Sequence, residues 1–238
     1  MNSILELSKL IDHSILQPAF TDEDLKKECD IAMKYNTATV CVKPYHTAMA
    51  AAIVKGSGVA VCAVIGFPHG NSPIVSKVFE TTYVCNEGAS EVDMVVNIGK
   101  VLMEDWNYID DELKAIHDAC LKHNAILKVI FETDFVTKTD HKIKLCELCN
   151  KHNIEFVKTS TGYGFVKDID GKYSYTGATV KDVLLFKKCC NPSIKIKAAG
   201  GIRTLDEFLK FKELGVARIG ASATVSILEE ARKRFHLV

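Results

Sequence analysis

The chain has 238 residues, with 30 Lys and Arg against 30 Asp and Glu, so its formal net charge is zero and it has no electrostatic case for binding nucleic acid or an anionic membrane. Hydrophobic residues make up 47% and charged residues 25%, ordinary globular usage that excludes a disordered chain, and Gly 14 with Pro 5 excludes a collagen-like or linker-dominated architecture. The 9 cysteines, an odd number spread along the chain, do not make a disulfide-stapled secreted scaffold, and a reduced cytoplasmic protein is expected.

Glu6 and Asp12 interrupt the N-terminal apolar stretch, which also lacks a small-residue cleavage site, so no signal peptide is expected. From there, short β-branched segments alternate with amphipathic ones. The first strand candidate, Leu10 to Ile15, precedes a helix from Asp22 to Tyr35, with Thr21 ahead of Asp24 as its N-cap. Thr39 to Lys43 leads into Tyr45 to Val54, Val59 to Gly66 into Ser72 to Asn86, and Glu91 to Asn97 into Trp106 to His123. Ile126 to Glu132 is followed by Lys138 to His152, and Glu155 to Thr159 by Thr179 to Cys189. Ile194 to Ala199 precedes Leu205 to Leu214, where Thr204 and Glu207 have capping-box spacing, and Ala217 to Gly220 precedes Thr224 to Arg234. The longest apolar runs, Val59 to Ile65 and Ala48 to Val54, are too short to span a bilayer. This alternation predicts an α/β fold with parallel strands. Roughly eight βα units in a chain near the usual barrel length of about 250 residues favour a single-domain (β/α)₈ TIM barrel over residues 1–238.

Side chains alternate faces along a strand, and a barrel interior is normally filled by branched apolar residues. Here Glu91, Asp93, Val95 and Asn97 share one face, Phe156 shares one with Lys158, and Lys195 and Lys197 oppose Ile194, Ile196 and Ala198. If the apolar faces cover the helices, the interior collects charge. Asp93, Lys158 and Lys197 are each expected near the C-terminal end of a strand, where barrel enzymes build their active sites.

Lys158 and Lys197 are about one βα unit apart, which predicts neighbouring strands and two ammonium groups facing each other. Like charge and desolvation would lower a lysine's pKa and leave it partly nucleophilic, as Schiff-base chemistry with a carbonyl requires. Asp93, two strands earlier, would work with a water as general acid and base. Gly200-Gly201-Ile202-Arg203-Thr204 and Gly220-Ala221-Ser222 each run from a strand into a helix, a pattern suited to cradling phosphate on backbone amides.

The segments Glu155-Phe-Val-Lys158-Thr-Ser-Thr-Gly162 and Lys195-Ile-Lys197-Ala-Ala-Gly200-Gly201-Ile-Arg-Thr204 resemble the signatures of the deoxyribose-phosphate aldolase family. The likeness extends through Leu10-Ile-Asp12-His-Ser14, Val64-Ile-Gly66-Phe-Pro68, Glu91-Val-Asp93-Met-Val95 and Leu127-Lys128-Val-Ile-Phe-Glu132. It implies a class I aldolase on a (β/α)₈ barrel, with no metal and no organic cofactor. The implied reaction is reversible cleavage of 2-deoxy-D-ribose 5-phosphate into D-glyceraldehyde 3-phosphate and acetaldehyde, in deoxyribose phosphate catabolism. By motif position Lys158 would form the Schiff base, Lys197 would depress its pKa and assist proton transfer, and Asp93 would exchange the proton. Asp12, Ser14 and Lys128 would line the pocket, and Gly162, Gly200, Gly201, Gly220 and Ser222 would hold substrate and phosphate. The sequence departs from the family at Ser14, usually Thr, and at Gln17, frequently Lys. Its final residues, Arg234-Phe-His-Leu-Val238, lack the terminal Tyr of some members.

Cys146 and Cys149 form a lone C-x-x-C within a helix and read as buried thiols; His69 reads as a surface residue. Two other functions fit the pattern: a non-catalytic sugar-phosphate-binding barrel, in which Lys158 is dispensable, and a transaldolase-like Schiff-base enzyme with a ketose donor. The expected partners are a small sugar phosphate and an aldehyde, and a homodimer is the default assembly.

Overall fold

The computed structural model describes residues 3–237; Val238, the end of the C-terminal segment noted above, lies outside the described residues. A short helix α1 (Ile4–Ser8) leads into β1 (Ile11–Ile15), α2 (Asp22–Tyr35), β2 (Thr39–Val42), a 3₁₀ turn at Pro44–His46, α3 (Thr47–Val54), β3 (Ala60–Ile65) and α4 (Ile74–Asn86). Then come β4 (Glu91–Val95), α5 (Ile98–Leu102), α6 (Trp106–Lys122), β5 (Ile126–Ile130), α7 (Thr139–His152) and β6 (Phe156–Lys158). A hairpin of β7 (Val166–Lys167) and β8 (Tyr173–Ser174) precedes α8 (Val180–Cys189), β9 (Lys195–Ala199), α9 (Leu205–Glu213), β10 (Arg218–Ala221) and α10 (Thr224–Phe235).

The alternating pattern is realised as a closed parallel barrel in the order β1-β10-β9-β6-β5-β4-β3-β2. Closure comes from β1, whose Asp12 is level with Gly220 on one side and Thr39 on the other. Both capping boxes form: Thr21 accepts the Asp24 N–H and Thr204 that of Glu207, and each acidic residue reaches back to its cap. No helix among the described residues is long and apolar enough to cross a membrane.

Apolar residues divide unequally between the two sides of the barrel wall. One continuous cluster, including Ile11, Val40, Val92, Leu127, Val157, Ile219 and the helix residues Leu25, Leu113, Phe186 and Phe208, fills the space between strands and helices. A second, of Leu16, Cys41, Cys62 and Val64, is small and separate. Charged and polar side chains take much of the rest of the barrel's inner face, with Val95, Ile130 and Phe156 among them. Phe156 closes its lower part with its ring 5.6 Å from the Arg218 guanidinium, 5.6 Å from Lys195 Nζ and 6.0 Å from Lys128 Nζ. An electron-rich ring face suits that company of cations.

Three elements depart from the sequence reading. Helices α1 and α5 are five residues each, too short for a helical period to register. The β7/β8 hairpin interrupts the connection from β6 to α8, its two-residue strands closed by Asp168, which accepts the N–H groups of Gly171 and Lys172.

Candidate active site

Register decides which charges meet. Asp93 is level with Lys128 on β5, while Lys158 is level with Ile130 on one side and Lys197 on the other. Lys158 thus ends its strand as expected, whereas Asp93 and Lys197 stand in the middle of theirs.

The two lysines do not face one another bare. Asp93 lies between them: its Oδ2 accepts from Lys158 Nζ at 2.8 Å and from Lys197 Nζ at 2.7 Å, and its Oδ1 accepts from Lys128 Nζ at 2.8 Å. Lys128 also pairs with Glu91 at 2.7 Å, and Lys197 with Asp12 at 2.5 Å. Arg218 closes the network from β10, 3.2 Å from both Asp12 and Glu91. Asp12, Asp93 and Lys128 have no exposed surface at all.

Burial would push the Asp93 carboxyl up, but three ammonium groups outweigh it and hold the group well below the usual carboxylate range. Burial likewise works against charge on Lys197 and Lys128, and the surrounding carboxylates overcome it, so both ammonium groups are held above the ordinary lysine range. The two ammonium groups were expected to face each other as bare like charges; instead Lys197 meets Asp12 and Asp93, and Asp93 stands between it and Lys158.

Above this network opens a cavity of about 340 Å³ at the C-terminal end of the barrel. Lys158, Lys197, Asp12 and Ser14 line its floor, and Gly162, Gly200, Gly201, Gly220 and Ser222 its wall. Asp93 and Lys128 lie beneath the floor, so Lys128 does not line the pocket as expected; its register sets it one layer down. The glycine wall depends on close backbone approach. Gly177 (φ +71°) and Gly200 (φ +89°) touch so tightly that a methyl group on Gly177 would lie 2.4 Å from the Gly200 carbonyl oxygen.

Glu132, at φ +53°, follows β5 and is fully buried. Its Oε2 accepts the Thr161 N–H at 3.2 Å and the Thr161 hydroxyl, which in turn accepts the Tyr163 N–H at 2.9 Å, so the turn that carries Gly162 is built on this carboxyl. Burial, and secondarily the neighbouring Asp134, raise its pKa to about 7 against the pull of the Thr161 donors.

Sequence reasoning missed Cys41, Tyr163, Phe165, Tyr175 and Arg203, all of which line the cavity. The aromatic residues belong to the hairpin segment, which has no periodicity, whereas Arg203 stood in a quoted motif without an assigned task. His69 is exposed, while Cys146 and Cys149 are buried in α7. Cys41, Cys62 and Asp93 place ligand atoms within 4.8 Å of one another, the one such grouping found among the described residues. Both Asp93 oxygens are already held by ammonium groups, a field that opposes a cation.

Fold and site together define a closed (β/α)₈ barrel whose C-terminal cavity is floored by lysines and carboxylates. The model of the DeoC/LacD family aldolases matches residues 7–228. A deoxyribose-phosphate aldolase of Clostridium perfringens is 42% identical over 224 residues, covering 94% of this chain and 95% of its own. Its counterpart in Rhodopirellula baltica is 39% identical over 229 residues, covering 96% and 90%. Among solved structures, a deoxyribose phosphate aldolase of Aeropyrum pernix, described as tetrameric, superposes with a TM-score of 0.85 at 26% identity, covering 98% of this chain and 93% of that one. The chain belongs to the DeoC/LacD family of aldolases. It is an aldolase, a carbon–carbon lyase, and neither a non-catalytic barrel nor a transaldolase-like enzyme is favoured.

Proposed function

We propose that the chain reversibly cleaves 2-deoxy-D-ribose 5-phosphate into D-glyceraldehyde 3-phosphate and acetaldehyde through a Schiff base on Lys158. The observation that carries this is the charge network under the cavity. Lys128, Lys158, Lys197 and Arg218 face Asp12, Glu91 and Asp93, so the cluster is electroneutral when one amine gives up its proton. Among these cations Lys158 has a single carboxylate contact, and it lines the cavity. A neutral amine there attacks the C1 aldehyde of the open-chain sugar.

The resulting carbinolamine loses water as the Lys197 ammonium donates a proton to the departing hydroxyl. The Lys197 amine left by that transfer takes the proton of the C3 hydroxyl through a bridging water and becomes ammonium again, and the C2–C3 bond breaks. Its electron pair moves through C2 to the iminium nitrogen, giving an enamine and releasing D-glyceraldehyde 3-phosphate. Protonation at C2 and hydrolysis free acetaldehyde and regenerate Lys158. Asp93 keeps its charge throughout: it partners the Lys158 cation as ammonium and as iminium, and holds Lys197 in reach. Asp12, Ser14 and Lys128 support that arrangement.

The phosphate would sit at the glycine wall. Helix α9 is closed by its capping box, whereas α10 begins two residues beyond Ser222 with Ala223 at its N-cap, a residue with no side-chain acceptor. Its first-turn N–H groups and positive dipole end suit an anion, and Arg203 adds a cation beside Gly200 and Gly201. The chemistry uses only these side chains, in a cytoplasmic setting, and the enzyme works as a homo-oligomer, with a dimer as the minimal form.

The test is borohydride trapping with acetaldehyde at neutral pH, followed by peptide mapping. An ethyl adduct confined to Lys158 is expected, and Lys158→Leu should abolish both the adduct and turnover in a protein that still folds. An adduct elsewhere, or turnover surviving in Lys158→Leu, would defeat the Schiff-base assignment. Trapping by a ketose donor without acetaldehyde would move the substrate class.

A further inference from the structure

The segment between β6 and α8 does more than connect them. It leaves the floor at Lys158, builds the Glu132-anchored turn at Thr161–Tyr163, rises through Phe165 into β7, and returns through β8 to Tyr175. Phe165 and Tyr175, at the two feet of the hairpin, meet edge to face with ring centroids 5.2 Å apart, and both line the cavity.

The returning leg is fixed to the glycine wall from three directions. Asp134 accepts the N–H of Thr176 at 2.5 Å and that of Gly177 at 3.1 Å, and Ala178 N–H donates to the Gly200 carbonyl at 3.1 Å. Gly177 presses against Gly200 with no room for a side chain between them. Tyr175 immediately precedes this clamp, so its position is tied to that of the cradle. From there its hydroxyl accepts from Arg203 Nη2 at 2.8 Å. The Arg203 side chain is exposed and forms no ion pair within 4 Å among the described residues, although the Glu207 carboxylate is near enough to feel its charge, so its long stem would otherwise sample many rotamers.

The geometry points to Tyr175 as a positioning residue that holds the Arg203 guanidinium over the phosphate end of the cavity, making the β7/β8 hairpin a determinant of preference for phosphorylated substrate. It rests on the reading of the glycine wall as the phosphate seat. The physical gain is preorganisation: an arginine already ordered loses less freedom when it closes on an anion. A phosphate has oxygens enough to take the remaining guanidinium N–H groups while the tyrosine keeps its own.

Tyr175→Phe removes the hydroxyl alone and keeps the ring contact with Phe165. The measured quantity is the ratio of kcat/KM for 2-deoxyribose 5-phosphate to that for unphosphorylated 2-deoxyribose, in wild type, Tyr175→Phe, Arg203→Ala and the double variant. Tyr175→Phe should lower that ratio about fivefold, chiefly through KM of the phosphorylated sugar, and should have no further effect once Arg203 is Ala. An equal loss on both sugars, or a loss that adds to that of Arg203→Ala, overturns the inference. Calorimetric titration with inorganic phosphate reads the same seat without any reaction: a fivefold weaker affinity in Tyr175→Phe supports the inference, and an unchanged one refutes it. If wild type cleaves neither sugar, the aldolase reading fails, and the phosphate titration still decides Tyr175.

Discussion

The two sides of the barrel wall solve opposite problems with the same strands. On the outer side, Val92, Leu127, Val157 and Ile196 bury apolar surface against helices, and the fold's stability is concentrated there. On the inner side, Asp93, Lys128, Lys158 and Lys197, drawn from the same strands, are held by charge in a space that barrels usually fill with branched aliphatics. Buried ions of this kind seldom stabilise more than apolar packing would. An interior that is costly in stability yet supported by a large apolar jacket is what the proposed Schiff-base site requires.

The jacket holds one instructive exception. Lys77 and Glu112, both fully buried between α4 and α6, pair at 2.7 Å; Lys77 donates to the Val95 carbonyl and Glu112 accepts the Asn97 N–H. This pair ties helices to the end of β4 on the side away from the cavity. Identical chemistry therefore has different consequences on the two sides, and variants can expose that.

The largest effect is expected inside. Asp93→Asn leaves Lys128, Lys158 and Lys197 around a neutral amide, which should cost about 3–5 kcal/mol of stability. It should also lower kcat at least about 10²-fold in the protein that remains folded, because the lysines lose their organising charge. Urea unfolding and steady-state kinetics read the two losses separately; normal turnover in this variant would show that the anion is dispensable.

In the jacket, Lys77→Met should cost about 3–5 kcal/mol by stranding the Glu112 charge, while the folded fraction keeps its turnover. Adding Glu112→Leu should recover much of the stability. A drop in turnover as large as that of Asp93→Asn would erase the distinction between the two sides.

At the rim the effect is smaller and depends on pH. The folded pKa of Glu132 is raised from 4.5 to about 7, so the native state binds its proton more tightly than the unfolded chain does. The stabilisation is complete below about pH 4.5 and is lost as pH rises through about 7, a change of no more than about 3 kcal/mol. Glu132→Gln cannot titrate, so the gap between wild type and variant in urea midpoint should move in the variant's favour from pH 5 to pH 8. A gap that stays constant would show that Glu132 does not titrate as its burial implies.

The division between the two sides was partly legible in the sequence. Period-two alternation in Glu91-Val-Asp-Met-Val95 and Lys195-Ile-Lys-Ala-Ala199 separated charged from apolar faces before any fold was known, and the long helices ended within about two residues of where their periodicity did. What misled was distance from the strand end: Asp93 was expected at the rim and lies beneath the cavity floor, while Lys197, mid-strand, is level with Lys158, because the barrel's stagger sets depth and no single strand records it. Lys128 was brought in only by family resemblance and turned out to lie under the floor. Tyr175 and Phe165 carried no signal, since a hairpin with two-residue strands offers no repeat to detect.

By itself the sequence determined the parallel α/β alternation, the capped helices, the charged strand faces and the glycine turns, because each is a property of neighbours along the chain. Only the tertiary structure decided that Asp93 sits between Lys158 and Lys197, that Asp12 and Arg218 complete the network, and that Tyr175 meets Arg203. Those contacts join residues far apart in the chain, and their sign matters: two bare ammonium groups repel, whereas a carboxylate placed between them holds both. Which of the two obtains is a matter of a few ångströms of register, fixed only when all the strands close on one another.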